Sequence, residues 1–307
     1  MDLYMTPTAE LCDLVLPAAS WLELDEIFAL PYFANVVVMA QKKITRVHEC
    51  KSDEEVFIEL CERMGFDYGG TKPSDLFDWQ LAGMAEKHEE YRGLNFEKLC
   101  ELNYIMIPPK YRQYETDGLK TPTGKMEVWS TVLEEKGFDP LPKYIEPPES
   151  PYSSPDACKE YPLILLTGGR VPFFFHTEYR GLPSLREKCK YPRVEIHPET
   201  AKIYGIRDGD WVFIESRRGR ITQKALVTDG IDPRVINCQH GWWYPEDKSP
   251  EHGWRDSNAN LLTSMAPPYD RILGTYQLRA LLCKIYKNDD TKIESRYEKA
   301  KGDRNGF

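Results

Sequence analysis

The sequence predicts an α+β chain in which a mixed α/β first half leads into a small β-barrel. Three observations carry that reading. Apolar side chains between residues 52 and 103 recur at helical spacing. From residue 163 the texture becomes short β runs, at 163–166, 193–196, 211–215, 220–228, 234–238 and 279–286, divided by glycine turns. Strands so short and closely spaced favour a barrel over a parallel α/β sheet. Between the halves, residues 138–162 hold seven prolines and little periodicity, as an extended linker does. The expected boundaries are therefore 1–137, the linker 138–162, a barrel over 163–288 and a charged tail over 289–307.

The elements follow in order. Residues 1–30 read as a turn and a short buried run, Leu14-Val15-Leu16-Pro17, and the apolar run Val36 to Met39 reads as a strand. In SDEEVFIELCERMGF, Ser52 or Asp53 caps a helix, and Val56, Phe57, Leu60, Cys61 and Met64 form its apolar face. Gly65 stops it. A longer acidic, aromatic helical region runs to about residue 103. YIMIPPKYRQYETDGLKTPTGKMEVWS reads as a hairpin-like β segment with turns at Asp117-Gly118 and Thr123-Gly124. In the second half, IRDGDWVFIESRRGRITQKALVTD sets alternating apolar positions between a DG and an RG turn.

Composition narrows the function. The 307 residues are 41 % hydrophobic and 29 % charged, ordinary for a globular protein and long enough for two domains. No window approaches 18 consecutive apolar residues, so no membrane span is read. The N-terminus lacks the pattern of a signal peptide, which reads as cytoplasmic for this chain as given. Residues 1–150 carry 15 Lys+Arg against 28 Asp+Glu, and residues 151–307 carry 25 against 21. That split argues against a nucleic-acid-binding coat, and fits either a second half that holds a compact anion or chance surface composition. The eight cysteines never approach a CxxC spacing, which excludes zinc-ribbon, iron–sulfur and thioredoxin-type sites within this sequence.

The densest chemistry lies in LILLTGGRVPFFFHTEYRG, Leu163 to Gly181. Thr167-Gly168-Gly169-Arg170 follows a strand. Glycines allow close approach to the backbone, successive N–H groups can form an anion nest, and Arg170 can add a bidentate contact. A purely structural glycine turn is the alternative. His176, Thr177, Glu178 and Arg180 then cluster in a loop, where polar groups for binding concentrate. CQHGWWYPEDKSPEHGWRDSNANLLT holds Trp242, Trp243 and Trp254 in a stretch too polar for core, beside His240. Flat rings suit a fused heteroaromatic ligand, and Asn258 and Asn260 suit its polar edge. GLKTPTGKM, Gly118 to Met126, has one residue too many for a phosphate-binding P-loop, and Met126 stands where Ser or Thr is needed. No nucleophile elbow is present.

In order along the chain, these stretches resemble the C-terminal part of molybdopterin oxidoreductases of the dimethyl sulfoxide reductase family. MTPTAELCDLVLPAASWLE (5–23) and TPTGKMEVWS (121–130) resemble segments of that family's catalytic body. LTGGRVPFFFHTEYR (166–180), VEIHPETAKIYGIRDGDWVFIESRRGRITQKALVTDGIDPRVI (194–236) and NLLT (260–263) resemble its cofactor-binding domain. GGR, HTEYR, HGWW and LCKIYK look most like the thiosulfate or polysulfide reductase and acetylene hydratase branch.

The resemblance implies a partial catalytic body over 1–137 and a double-psi β-barrel, the molybdopterin dinucleotide-binding domain, over 163–288. The implied cofactor is bis(molybdopterin guanine dinucleotide) with molybdenum or tungsten. Carried onto this chain, Thr167, Gly168, Gly169 and Arg170 would meet the pterin and phosphates, and His176 and Thr177 would approach the pterin near the metal. His240, Trp242, Asn258, Asn260, Tyr276 and Arg279 would complete the cofactor site. Thr6, Thr8 and Glu10 would border a second dinucleotide. No metal ligand is assigned, and His176 is the one catalytic candidate. The 4Fe-4S cluster and the metal ligand are expected in an N-terminal part outside this chain, which by itself is expected to be inactive. The implied partners are that N-terminal portion or a catalytic subunit, with an iron–sulfur electron-transfer subunit as a further candidate and a periplasmic location left open for the complete enzyme. The expected chemistry is two-electron redox at the metal, on a sulfur oxyanion or similar small substrate. The alternatives are a hydratase-type relative and a stand-alone non-catalytic barrel.

Overall fold

A computed structural model describes residues 1–30, 37–86, 88–108 and 111–290. Val36 and the tail beyond residue 290 lie outside them. The chain divides into two compact units, Met1–Val128 and Trp129–Phe307, so residues 138–162 fall within the second.

In the first unit, β1 (Glu26–Leu30), β2 (Val37–Gln41) and β3 (Tyr104–Met106) form an antiparallel sheet in the order β1-β2-β3. Helices α1 (Asp53–Met64), α2 (Pro73–Ala85) and α3 (Phe96–Leu102) accompany it. Val38, Leu81, Tyr91 and Leu99 make the core. Ser52 is the cap of α1. It accepts from Glu55 N–H while the Glu55 carboxylate accepts from Ser52 N–H, and Gly65 ends the helix at φ +76°.

Three expectations fail here. The face of α1 buried in this unit carries Ile58, whereas Phe57, Leu60 and Met64 are exposed. Leu14 and Leu16 are exposed too, in a segment whose pairings among the described residues are isolated bridges at Pro17 and Ala18. The hairpin over 104–130 does not form. Its first run, β3, pairs instead with β2. Gln113–Asp117 then turns helical, entered through Arg112 at φ +54° and left at Gly118, so the Asp117-Gly118 turn stops a helix.

In the second unit six strands close into a barrel. They are β4 (Leu163–Gly169), β5 (Arg193–Ile196), β6 (Trp211–Ser216), β7 (Gly219–Val227), β8 (Val235–Gln239) and β9 (Leu281–Lys287). The order is β4-β8-β5-β7-β6-β9, with β4∥β8 and β5∥β7 parallel and the other described pairings antiparallel. This is the expected barrel of the double-psi kind. Leu165, Val194, Ile196, Val212, Ile214, Ile236 and Cys283 fill the interior, every second residue of each strand pointing inward. Cys238 lies in the same core, where burial pushes its thiol up to about 12 and it packs as an apolar group. Far from hanging free, the proline-rich segment is tied to the barrel. The buried Glu149 accepts from Arg218 and from the N–H of Leu282.

Candidate functional site

Strand direction collects the predicted residues. At one end of the barrel β4 and β8 finish, β6 turns into β7, and β5 and β9 begin. Thr167 through Arg170 leave β4 there, His240 and Trp242 leave β8, and Tyr276 and Arg279 lead into β9. Asn258 and Asn260 lie against the start of β7, where Ser216 Oγ donates to Leu262 O and Ser257 Oγ to Thr222 O. Buried Gln223 braces this end. Its amide donates to Gln239 O on β8 and accepts from Gln239 N–H. Arg170, Arg193, Arg217 and Arg279 are all exposed, so this end presents cations. Thr6, Thr8 and Glu10 belong to the first unit. There Thr6 caps a single helical turn while Thr8 and Glu10 are exposed.

Gly169 has a clear steric reason. A Cβ on Gly169 would stand 2.8 Å from Cys238 O, where β4 slips register against β8. One on Gly168 would make only ordinary contact, with the Arg279 guanidinium at 3.4 Å. Thr167 Oγ1 donates to Leu278 O at 2.7 Å, which ties the entry to β9 against β4.

Two histidines meet above this turn. His240 Nδ1 lies 3.0 Å from Gly169 O, an acceptor only, so that nitrogen carries the proton. His240 Nε2 therefore accepts, and His176 Nδ1 donates to it across 2.8 Å. His176 Nε2 is left as an acceptor on an exposed side chain. Burial holds the His240 pKa below its usual value, with His176, Arg180 and Arg170 adding repulsion. Both effects favour the neutral form of His240.

Two site expectations need correction. Trp242 is fully buried and offers no free stacking face, because Phe174 and Arg180 cover it. Trp242 and Tyr244, from the stretch judged too polar for core, form a small separate core with Val171 and Phe174. The rings open at this end are Phe173, Phe175 and Tyr179. Asn258 spends its Oδ1 on the N–H of Asn260, whereas Asn260 itself is exposed. Thr177 is exposed and its carbonyl accepts from Trp243 Nε1. Sequence reasoning grouped Arg180 with the polar side chains of a binding loop, whereas the structure buries it against Phe174 and Trp242. No cluster of three or more His, Cys, Asp or Glu fit to hold a metal occurs among the described residues.

Residues 164–281 match the family model described as "Molydopterin dinucleotide binding domain". This chain belongs to the dimethyl sulfoxide reductase family. It is 34 % identical to a dopamine dehydroxylase of Eggerthella lenta, over 94 % of this chain and 35 % of that protein. It is 30 % identical to a dimethyl sulfoxide/trimethylamine N-oxide reductase of Rhodobacter capsulatus, over 86 % and 34 %. The solved acetylene hydratase from Pelobacter acetylenicus superposes with a TM-score of 0.78 at 30 % identity, over 92 % of this chain and 39 % of that one. The family chain thus spans roughly a third of the length of these relatives. Its barrel end suits a molybdopterin dinucleotide: exposed guanidinia for phosphate, an imidazole acceptor and an amide for ring edges, and open rings beside them.

Proposed function

We propose that this barrel end binds one half of a bis(molybdopterin guanine dinucleotide) carrying molybdenum or tungsten, within an oxidoreductase of which this chain is the C-terminal portion. When bound, that group supplies two-electron chemistry at its metal. This chain's part is to bind and orient it. Arg170 and Arg279 would hold phosphates, Asn260 and His176 would hydrogen-bond the pterin, and Thr6, Thr8 and Glu10 would border the second dinucleotide. The metal ligand and a 4Fe-4S cluster would come from the remaining length of such an enzyme, and an iron–sulfur subunit would carry the electrons. A sulfur oxyanion or similar small molecule is the proposed substrate.

The observation that carries the reading is convergence. Residues from four separate stretches, 167–170, 176–177, 240 and 258–279, assemble on one rim. A hydratase-type reaction is the second reading, favoured by the superposition on acetylene hydratase. Metal analysis and pterin fluorescence on protein from a molybdopterin-producing host test the binding. Arg170→Ala and Asn260→Ala should each lower bound pterin and metal roughly tenfold, as losing a ligand-orienting contact does. Unchanged loading in both variants would contradict the site. Wild-type protein without pterin would favour a non-catalytic barrel.

A further inference from the structure

Arg180 is 1 % exposed and sits between the rings of Phe174 and Trp242, at 4.6 and 4.2 Å. Its neighbour on the same indole, Arg186, is neutralised by a bidentate pair with Glu246 at 2.9 and 3.2 Å. Among the described residues Arg180 has only carbonyls as hydrogen-bond partners. Its Nε donates to Gly241 O at 2.5 Å, and one Nη to His176 O at 2.9 Å and His240 O at 3.1 Å, while Nη1 is buried with no partner. An unneutralised buried cation is costly, and a packed apolar side chain would avoid that cost. What only a planar fork can do is hold three carbonyls in one geometry. Those carbonyls come from two loops, one leaving β4 and one leaving β8. The loops touch where a Cβ on Gly241 would lie 2.9 Å from His176 O, and His176 itself stands at φ +55°.

We infer that Arg180 is a positioning residue: it clasps the two loops through the carbonyls of His176, His240 and Gly241. It thereby sets His176 Nδ1 against His240 Nε2 and turns His176 Nε2 outward as an acceptor. The ligand group this rim takes is therefore an N–H or O–H donor, distinct from the anion expected at Arg170. That the donor belongs to a pterin rests on the reading above; the clasp does not. The groups facing the pair are Gly169 O, the Phe175 ring, and the guanidinia of Arg170 and Arg180. Burial and the guanidinia of Arg180 and Arg170 hold the His240 pKa below its ordinary value, against the opposing bond to Gly169 O.

Nitrogen-15 NMR of histidine-labelled full chain reads the tautomers directly. Wild type should show His176 and His240 both protonated on Nδ1 near neutral pH, and an Nε2–H form of His240 overturns the proposal outright. Arg180→Met keeps the ring stack without the fork. It should leave the near-ultraviolet circular dichroism unchanged, move His176 to a mixture of tautomers, and lower pterin retained from the host roughly tenfold. Arg180→Lys should not restore the pair, which separates the clasp from mere charge. A folded Met variant with wild-type tautomers sinks the clasp. If neither variant folds, the wild-type tautomers decide. Wild-type tautomers as expected, with no pterin bound, would refute the cofactor reading and leave the clasp standing.

Discussion

At the scale of single residues, the glycine pair shows how one position serves packing and access together. Gly169 lacks a Cβ because that atom would fall 2.8 Å from Cys238 O, a backbone group that cannot swing aside. Gly169→Ala should cost about 1–3 kcal/mol through overpacking, read as a fall of several degrees in the thermal midpoint. An unchanged midpoint would show that β4 and β8 tolerate a wider gap. The sequence signal, two glycines and an arginine ending a strand, located this spot. It could not distinguish a steric need from a nest for an anion. Distances to β8 make the steric need definite, and the exposed Arg170 beside it keeps the binding reading open.

Among the elements, strands and capped helices were the legible part. Alternation along β6 and β7 and the cap at Ser52 are local patterns, and local physics decides them. The failed hairpin has a long-range cause. Whether Tyr104–Met106 pairs with β2 or folds back on a later strand depends on a partner more than sixty residues away. A similar long-range device pins the first unit. Buried Glu23 accepts from the N–H groups of Ser20 and Val47 and from the Cys50 thiol. Bonds from Ser20 and then Val47 hold its carboxyl down to about 2 from an ordinary 4.5. A depressed carboxylate stabilises the fold above its ordinary pKa, and that contribution drains as pH falls from about 4.5 toward 2. Unfolding followed across that range should therefore steepen in wild type and flatten in Glu23→Gln. Parallel acid curves would remove Glu23 from this role.

For each unit as a whole, closure depends on groups distant in sequence. Glu149 is joined to Arg218 and to Leu282 N–H, 69 and 133 residues away, and it draws a proline-rich segment onto the barrel. Glu149→Ala would leave Leu282 N–H and Arg218 without their acceptor. The expected loss is about 3 kcal/mol, at the lower end of buried-pair costs because Arg218 is 28 % exposed. Denaturant midpoints measure it, and a loss below about 0.5 kcal/mol, typical of an ordinary surface change, would mean the strap is incidental. By itself the sequence determined the six barrel strands, a helix start at Ser52 or Asp53 and the family, because alternation, capping and contiguous motifs are written within a few residues of one another. Only the tertiary structure decided that Trp242 is core, that the rings of His176 and His240 meet, and that Arg180 binds the carbonyls of both. Those facts arise where chain ends of different strands meet, and no local pattern encodes a distance between residues sixty positions apart.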